Sequence, residues 1–208
     1  MNRPVDQLDQ ALADLATIRR HVAGATPFHG YGPLTLVCTA LLAGAVALLQ
    51  AHQLEQPQDH LATYLGLWIS TAIIATALIA TEMLARTYRI HSGLADEILL
   101  NAVLQFAPSL IIAVLITGTL LRFAPHSTWM LPAIWQICSA LGIFASLRDL
   151  PRATLAVALW YAVTGLCVLA LGDSRALCPA AMGVPYGVGQ LLFAFALRPA
   201  HTRSADAL

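Results

Sequence analysis

Uncharged polar residues interrupt the long apolar stretch 98–121. Asn101 and Gln105 lie four residues apart in this stretch, and Pro108 follows shortly after them. Residues at this spacing share one face of a helix. Carboxamide groups donate and accept hydrogen bonds without carrying a charge. The pattern therefore predicts a polar, uncharged face inside an apolar helix.

A second apolar stretch, 176–197, contains a run of glycines that surrounds Pro185 and Tyr186 and ends at Gln190. Proline lacks a backbone N–H and clashes with the preceding helical turn. We therefore expect a bend near Pro185 that frees backbone carbonyls. Interrupted helices at matching places in inverted halves indicate the binding site of a transporter, and 98–121 and 176–197 are the third and sixth apolar stretches.

Depth along the helices brings three of these side chains to one level. Gln105, Trp160 and Gln190 each lie eight residues from the charged residue that bounds their stretch on the same predicted side. A rise of about 1.5 Å per residue places all three ~12 Å inside that boundary. We expect them to form one polar and aromatic layer.

Two interpretations of this layer stay open. In the first, the glutamine side chains form hydrogen bonds between packed helices. In the second, they are part of a binding site for a small molecule. The predicted substrate-binding residues are Asn101, Gln105, Trp160, Pro185, Tyr186 and Gln190.

Aromatic residues fall into two groups by depth. Trp160, Tyr161 and Tyr186 are expected deep in the membrane, where they either wall a cavity or pack ordinarily. A second group is expected at the outer membrane interface, where aromatic side chains are enriched: Tyr64, Trp68, Trp129 and Trp135.

Glu82 is the one acidic residue expected within a membrane span, and Arg86 follows it one turn later. This spacing predicts an ion pair at the membrane interface. The alternative is a gate or proton site at the inner mouth of a pathway.

Three histidines are weak candidates for metal ligands. His52, His60 and His126 fall on the predicted outer side of the membrane, but their spacing matches no metal signature. We therefore expect no metal site and no cofactor. No nucleophile, acid–base pair or phosphate loop is evident, so a non-enzymatic protein is predicted.

Composition places the chain in a membrane. Hydrophobic residues make up 58% and charged residues 11% of its 208 residues, whereas about a quarter of the residues of a soluble domain are charged. Eleven acidic residues balance eleven basic ones, which gives no reason to expect a nucleic acid partner.

The predicted fold is all-α, with six transmembrane helices and both termini in the cytoplasm. A hydrocarbon core about 30 Å thick needs roughly 20 helical residues, and the charge-free intervals supply them. The expected spans are 33–51, 62–85, 97–121, 129–147, 153–171 and 178–198. Nine of the eleven arginines lie on one side of these spans, which predicts the cytoplasmic side of a bacterial inner membrane.

Three segments make up the predicted organisation: an amphipathic cytoplasmic helix over 1–27, the bundle over 28–198, and a flexible tail over 199–208. The first helix is expected to lie along the membrane surface. Alternatively, residues 1–24 dock a cytoplasmic protein.

Small residues four apart predict close helix contacts, either within the chain or in a homo-oligomer. The pairs are Ala40 with Gly44, Gly142 with Ser146, and Gly183 with Gly187.

Both ends of the chain resemble a group of uncharacterised bacterial six-span inner-membrane proteins. The resemblance rests on Ala16-Thr-Ile-Arg19-Arg20 before the first span and on Ala181-Met-Gly183-Val-Pro185-Tyr186-Gly187-Val-Gly189-Gln190 in the last. It implies the six-span architecture and carries no activity.

Two functions follow as hypotheses. The first is a small transporter or channel-like protein for an uncharged or lipophilic solute, acting as a homo-oligomer. The second is a membrane-embedded regulator or scaffold that docks a partner through residues 1–24.

Overall fold

A computed structural model describes residues 32–90, 95–148 and 150–197. The predicted N-terminal helix over 1–27, the docking segment 1–24 and the tail over 199–208 lie outside the described residues. Six α-helices follow one another: α1 Pro33–Gln53, α2 Leu61–Ile90, α3 Ala95–Phe123, α4 Leu131–Ala145, α5 Thr154–Leu169 and α6 Pro179–Ala196. This part of the chain contains no β-strand, so the all-α prediction holds for it.

Short 3-10 helices extend or join three of these elements. They are Pro125–Met130 before α4, Ser146–Arg148 after α4 and Ser174–Leu177 before α6. Proline begins α1, the first 3-10 helix and α6, because its fixed φ suits a first helical turn and its missing N–H is not needed there. Gly172, with φ of 72°, turns the chain after α5, a conformation that glycine adopts without strain.

Four helical segments are long and apolar enough to cross a membrane: Pro33–Gln53, Leu61–Arg89, Ala102–Phe123 and Pro125–Arg148. The other two predicted spans are shorter than expected. α5 has 16 residues and α6 has 18, so α5 reaches only about 24 Å at 1.5 Å per residue. Glycines, prolines and Gln190 make α6 less apolar than its neighbours.

The exposed surface of the bundle is strongly apolar. α3 exposes Leu110, Ile111, Ile112, Val114 and Leu115, which together cover more than half of the circumference of the helix. Water would make such a surface unfavourable, whereas hydrocarbon solvates it well. The apolar helices therefore indicate a membrane-embedded protein.

Each helix packs beside the next one in the chain, and α6 returns to pack on α1. The most extensive contacts join α1 to α6 and α4 to α5, while α2 and α3 touch only lightly. α3 packs mainly on α4, and it is not among the helices that contact α6 extensively. The centre of the fold thus lies among α1, α4, α5 and α6.

Glycine allows the closest of these approaches. A Cβ atom at Gly183 would overlap the Cβ of Ala47 on α1. A Cβ at Gly142 would lie 2.5 Å from the Phe106 ring of α3. These two predicted small residues therefore serve helix contacts within the chain.

Gln50 ties three elements together at the end of the bundle where α1 ends. Its Nε2 donates to the Leu177 carbonyl at 2.8 Å, and its Oε1 accepts from Trp68 Nε1 at 2.7 Å. The side chain is fully buried. Because both ends of the amide are paired, Gln50 acts as a structural link between α1, α2 and the segment before α6.

Candidate functional site

α6 continues as one helix through Pro185, and two side chains from other helices bind its backbone carbonyls there. Pro185 has no N–H to give to the carbonyl four residues earlier, that of Ala181. Gln136 Nε2, from α4, donates to this carbonyl at 2.8 Å. Trp160 Nε1, from α5, donates to the Pro185 carbonyl at 2.9 Å. Side chains of α4 and α5 therefore hydrogen-bond to the α6 backbone on both sides of Pro185.

Tyr186 points from this section towards α4 and α5. Its hydroxyl lies 3.3 Å from Ser139 Oγ. Ser139 Oγ also donates to the Trp135 carbonyl at 2.8 Å, which uses its single hydrogen. Tyr186 is therefore the donor in its pair with Ser139.

Tyr161 packs against the other side of Tyr186. The two ring centroids are 5.3 Å apart and the planes are tilted by 52°, a separation typical of paired aromatic rings. A Cβ at Gly189 would lie 2.5 Å from the Tyr161 hydroxyl. Glycine at this position thus lets Tyr161 lie directly on the α6 backbone.

Gln190 ends this run of α6, and its amide lies beside the Tyr161 hydroxyl. Even so, Tyr161 Oη and Gln190 Oε1 are both buried and have no hydrogen-bond partner among the described residues. The Tyr161 side chain is only 2% exposed. A hydroxyl and a carboxamide, two groups that can pair with each other, therefore lie side by side.

Another buried hydroxyl and another buried carboxamide oxygen lie closer to the start of α6. Tyr64 of α2 is fully buried and lies in electrostatic range of Cys178 and Tyr186. Tyr64 Oη and Gln136 Oε1 have no hydrogen-bond partner within the part of the chain that is described. We call Tyr64, Gln136, Ser139, Tyr161, Tyr186 and Gln190 the α6 polar cluster.

Four of the six predicted substrate-binding residues meet in the structure: Trp160, Pro185, Tyr186 and Gln190. Gln105 lies on α3, which packs on α4 and not extensively on α6. Asn101 also lies in α3, but its side chain is outside the described residues.

Sequence reasoning missed Gln136 and Ser139 as site residues, and it assigned Tyr64 to an interfacial aromatic group and not to the site. Tyr64 and Trp68, from the aromatic group expected at the outer interface, are buried within the protein. An amide in the middle of an apolar stretch was a visible signal for Gln136. No signal in the sequence paired it with Ala181, because the two residues lie 45 positions apart.

Glu82 and Arg86 form an ion pair on α2. Arg86 Nε donates to Glu82 Oε1 at 2.8 Å. The Glu82 carboxylate packs against Gly32 at the start of α1, where the helix dipole favours a negative charge. Glu82 Oε2 is buried and has no hydrogen-bond partner in the described chain.

The remaining charged and metal-binding candidates lie away from the cluster. His52, His60 and His126 are exposed, and in the described ranges no three His, Cys, Asp or Glu side chains come together as metal ligands. Arg175 binds Asp173 at 2.9 Å before α6, and this hydrogen bond lowers the pKa of the Asp173 carboxyl.

Comparisons of the chain with protein-family models, curated proteins and solved structures find no match. Function must therefore be inferred from the chemistry of the residues themselves.

Proposed function

We propose that this protein is a small non-enzymatic transporter or channel-like protein that binds an uncharged solute at the α6 polar cluster. The observation that carries the proposal is the set of buried polar atoms without hydrogen-bond partners: Tyr64 Oη, Gln136 Oε1, Tyr161 Oη and Gln190 Oε1.

Buried polar atoms without partners lower the stability of the folded protein. A buried donor or acceptor left unpaired costs about 1–3 kcal/mol, and most buried polar groups in native proteins are paired for that reason. Four of them around one proline-containing helix are explained if a bound solute completes their hydrogen bonds.

The charge pattern supports an uncharged solute. Both described ion pairs, Glu82 with Arg86 and Asp173 with Arg175, belong to positions outside the cluster. An ion entering the cluster would lose its hydration without meeting an opposite charge, which is strongly unfavourable. A neutral molecule avoids this cost.

We further propose that all six helices span a bacterial inner membrane with both termini in the cytoplasm, and that the protein acts as a homo-oligomer. The arginine distribution supports the orientation. In a variant without its four cysteines, Glu55→Cys should react with an impermeant maleimide in intact cells. Arg152→Cys should react only after the membrane is opened, and the reverse labelling would overturn this orientation.

Proteoliposomes test the transport proposal. We expect the full-length protein to accelerate the entry of at least one neutral solute from a panel of acetamide, urea, glycerol and indole. Gln190→Leu should lower that rate about tenfold, as expected when one hydrogen bond to the solute is lost. Val184→Leu, on the exposed side of α6, is the matched control and should leave the rate unchanged.

Entry rates equal to those of protein-free vesicles for the whole panel would overturn the proposal. The alternative role, a scaffold that docks a partner through residues 1–24, predicts that result together with loss of a co-purifying protein when 1–24 is deleted.

A further inference from the structure

We infer that the turn between α4 and α5 binds the headgroup of an anionic phospholipid, and that Arg148 and Arg152 hold its phosphate. Such a site requires only that the bundle is embedded in a membrane. It does not depend on a solute at the α6 polar cluster, so the two proposals can fail separately.

Core packing fixes the position of this turn. Leu150, which lies between Arg148 and Arg152 in the chain, is buried in an apolar core cluster. The same cluster contains residues from the start of α1 and from the end of α6. The Thr154 hydroxyl donates to the Pro151 carbonyl at 2.7 Å. The turn is therefore held in a defined place at one end of the bundle.

Each arginine ends a row of exposed apolar side chains that recur every three or four residues, and so share one face of a helix. The row on α4 and the 3-10 turn that continues it consists of Leu141, Ala145 and Arg148. The row on α5 and the residue before it consists of Arg152, Leu155, Leu159, Val163 and Leu166. Arginines at the ends of apolar helices extend to the membrane interface. Both guanidinium groups are therefore expected at the depth of the lipid headgroups.

Both arginines are available to an outside anion. They are exposed, and the ion pairs found among the described residues join Glu82 to Arg86 and Asp173 to Arg175 instead. A guanidinium group binds a phosphate through two parallel hydrogen bonds. Segment 148–152 contains two arginines and one aspartate, so it keeps a net positive charge.

The length of the turn lets both arginines reach one phosphate. Four residues of chain span at most about 14 Å when fully extended, and here the chain turns back from α4 into α5, which pack against each other. Two long side chains on such a turn can meet at a single phosphate group. The acyl chains of the lipid would then lie along the two apolar rows.

A phospholipid matches this combination better than a soluble phosphate does. A soluble anion uses only the charge, whereas acyl chains also cover the exposed apolar rows. A headgroup with a net negative charge is preferred, because each arginine near the membrane surface attracts anionic lipid by about 1 kcal/mol. Phosphatidylglycerol carries this charge and serves as the probe.

Native mass spectrometry of the full-length protein in detergent measures the binding. We expect phosphatidylglycerol to bind more tightly than phosphatidylcholine with the same acyl chains. Arg148→Gln and Arg152→Gln should each weaken phosphatidylglycerol binding about fivefold, and the double variant about 25-fold.

Arg122→Gln is the matched control. Arg122 is exposed in the last turn of α3, whereas Ala102, near the start of α3, packs against the core cluster that holds Leu150. Arg122 therefore lies at the opposite end of the bundle, and its substitution should leave phosphatidylglycerol binding unchanged. An equal loss in Arg122→Gln would show that any surface arginine serves, which overturns the inference.

Two further results would overturn it. One is equal binding of the two lipids, and the other is full phosphatidylglycerol binding by the double variant. Glycerol phosphate tests the soluble source of the same chemistry. If it displaces phosphatidylglycerol at equal concentration, the turn recognises a free phosphate and the lipid assignment is wrong.

The double variant should keep the thermal midpoint of the unchanged protein in phosphatidylcholine, because both side chains are exposed. If its midpoint falls, the single variants decide. A ratio of phosphatidylglycerol to phosphatidylcholine binding that drops about fivefold in each supports the inference, whereas an unchanged ratio in both contradicts it.

Discussion

The side-chain amide of Gln136 replaces the backbone N–H that Pro185 lacks. Pro185 leaves the Ala181 carbonyl without its normal helical donor, and Gln136 Nε2 occupies this position at 2.8 Å. This hydrogen bond joins α4 to α6 at the position where Pro185 removes a backbone hydrogen bond. It also fixes Gln136 so that its remaining Oε1 belongs to the α6 polar cluster.

We expect Gln136→Leu to lower the free energy of unfolding by about 1–3 kcal/mol, because it leaves the Ala181 carbonyl unpaired. Pro185→Ala supplies a backbone N–H to that carbonyl, so Gln136→Leu should cost much less in its presence. A double-mutant cycle by thermal or denaturant unfolding in detergent measures this coupling. If the effects of the two mutations are additive, Gln136 does not replace the missing donor of Pro185.

Gln50→Leu should destabilise the end of the bundle where α1 ends. It removes the partners of Trp68 Nε1 and of the Leu177 carbonyl, so a loss of about 2–6 kcal/mol is expected for two unpaired buried groups. Unfolding followed by tryptophan fluorescence reports the loss. Gln53→Leu, on the same helix but exposed, is the control, and an equal effect there would refute the link.

Gly189→Ala should force Tyr161 out of its position, because the new Cβ would lie 2.5 Å from the Tyr161 hydroxyl. We expect a loss of about 1–3 kcal/mol from overpacking. Gly44→Ala and Gly66→Ala are controls, since a Cβ at either position meets no neighbour and alanine is the better helix former by roughly 1 kcal/mol. Stabilisation by Gly189→Ala would show that Tyr161 moves freely.

Tyr64→Phe should leave stability unchanged or raise it by about 1 kcal/mol, because it removes a buried hydroxyl that has no partner. Trp135→Phe should act in the opposite direction, since Trp135 Nε1 donates to Thr117 Oγ1 at 2.9 Å. Comparing the two thermal midpoints is the measurement. A lowered midpoint in Tyr64→Phe would mean that its hydroxyl is bonded within the fold.

Short-range patterns predicted much of the scaffold. The charge-free intervals indicated helices that begin and end close to the observed α1, α2 and α3. A bend near Pro185 was expected, but α6 continues as one helix from Pro179 to Ala196; the expected carbonyl without a helical donor is that of Ala181. The helix positions and the carbonyl without a helical donor were predictable because helix formation, proline geometry and apolar composition act within a few residues of the chain.

The lengths of α5 and α6 were harder to predict. An apolar stretch sets the maximum length of a helix, but its ends depend on local turns such as those at Gly172 and Ser174. The sequence could not show whether these turns interrupt the helix or continue it. As a result, two expected spans were longer than the helices that the structure contains.

By itself, the sequence determined the helical class, the apolar surface and the presence of Pro185 and Gln190 in one helix. Only the tertiary structure decided that Tyr64 and Trp68 are buried, that Gln136 serves the Ala181 carbonyl, and that Gln105 lies on a helix packed mainly against α4. The reason is that these facts depend on contacts between helices. Gln50 and Leu177, for example, bond across 127 residues of chain, and helical periodicity identifies the inward face of a helix without identifying the partner that it meets.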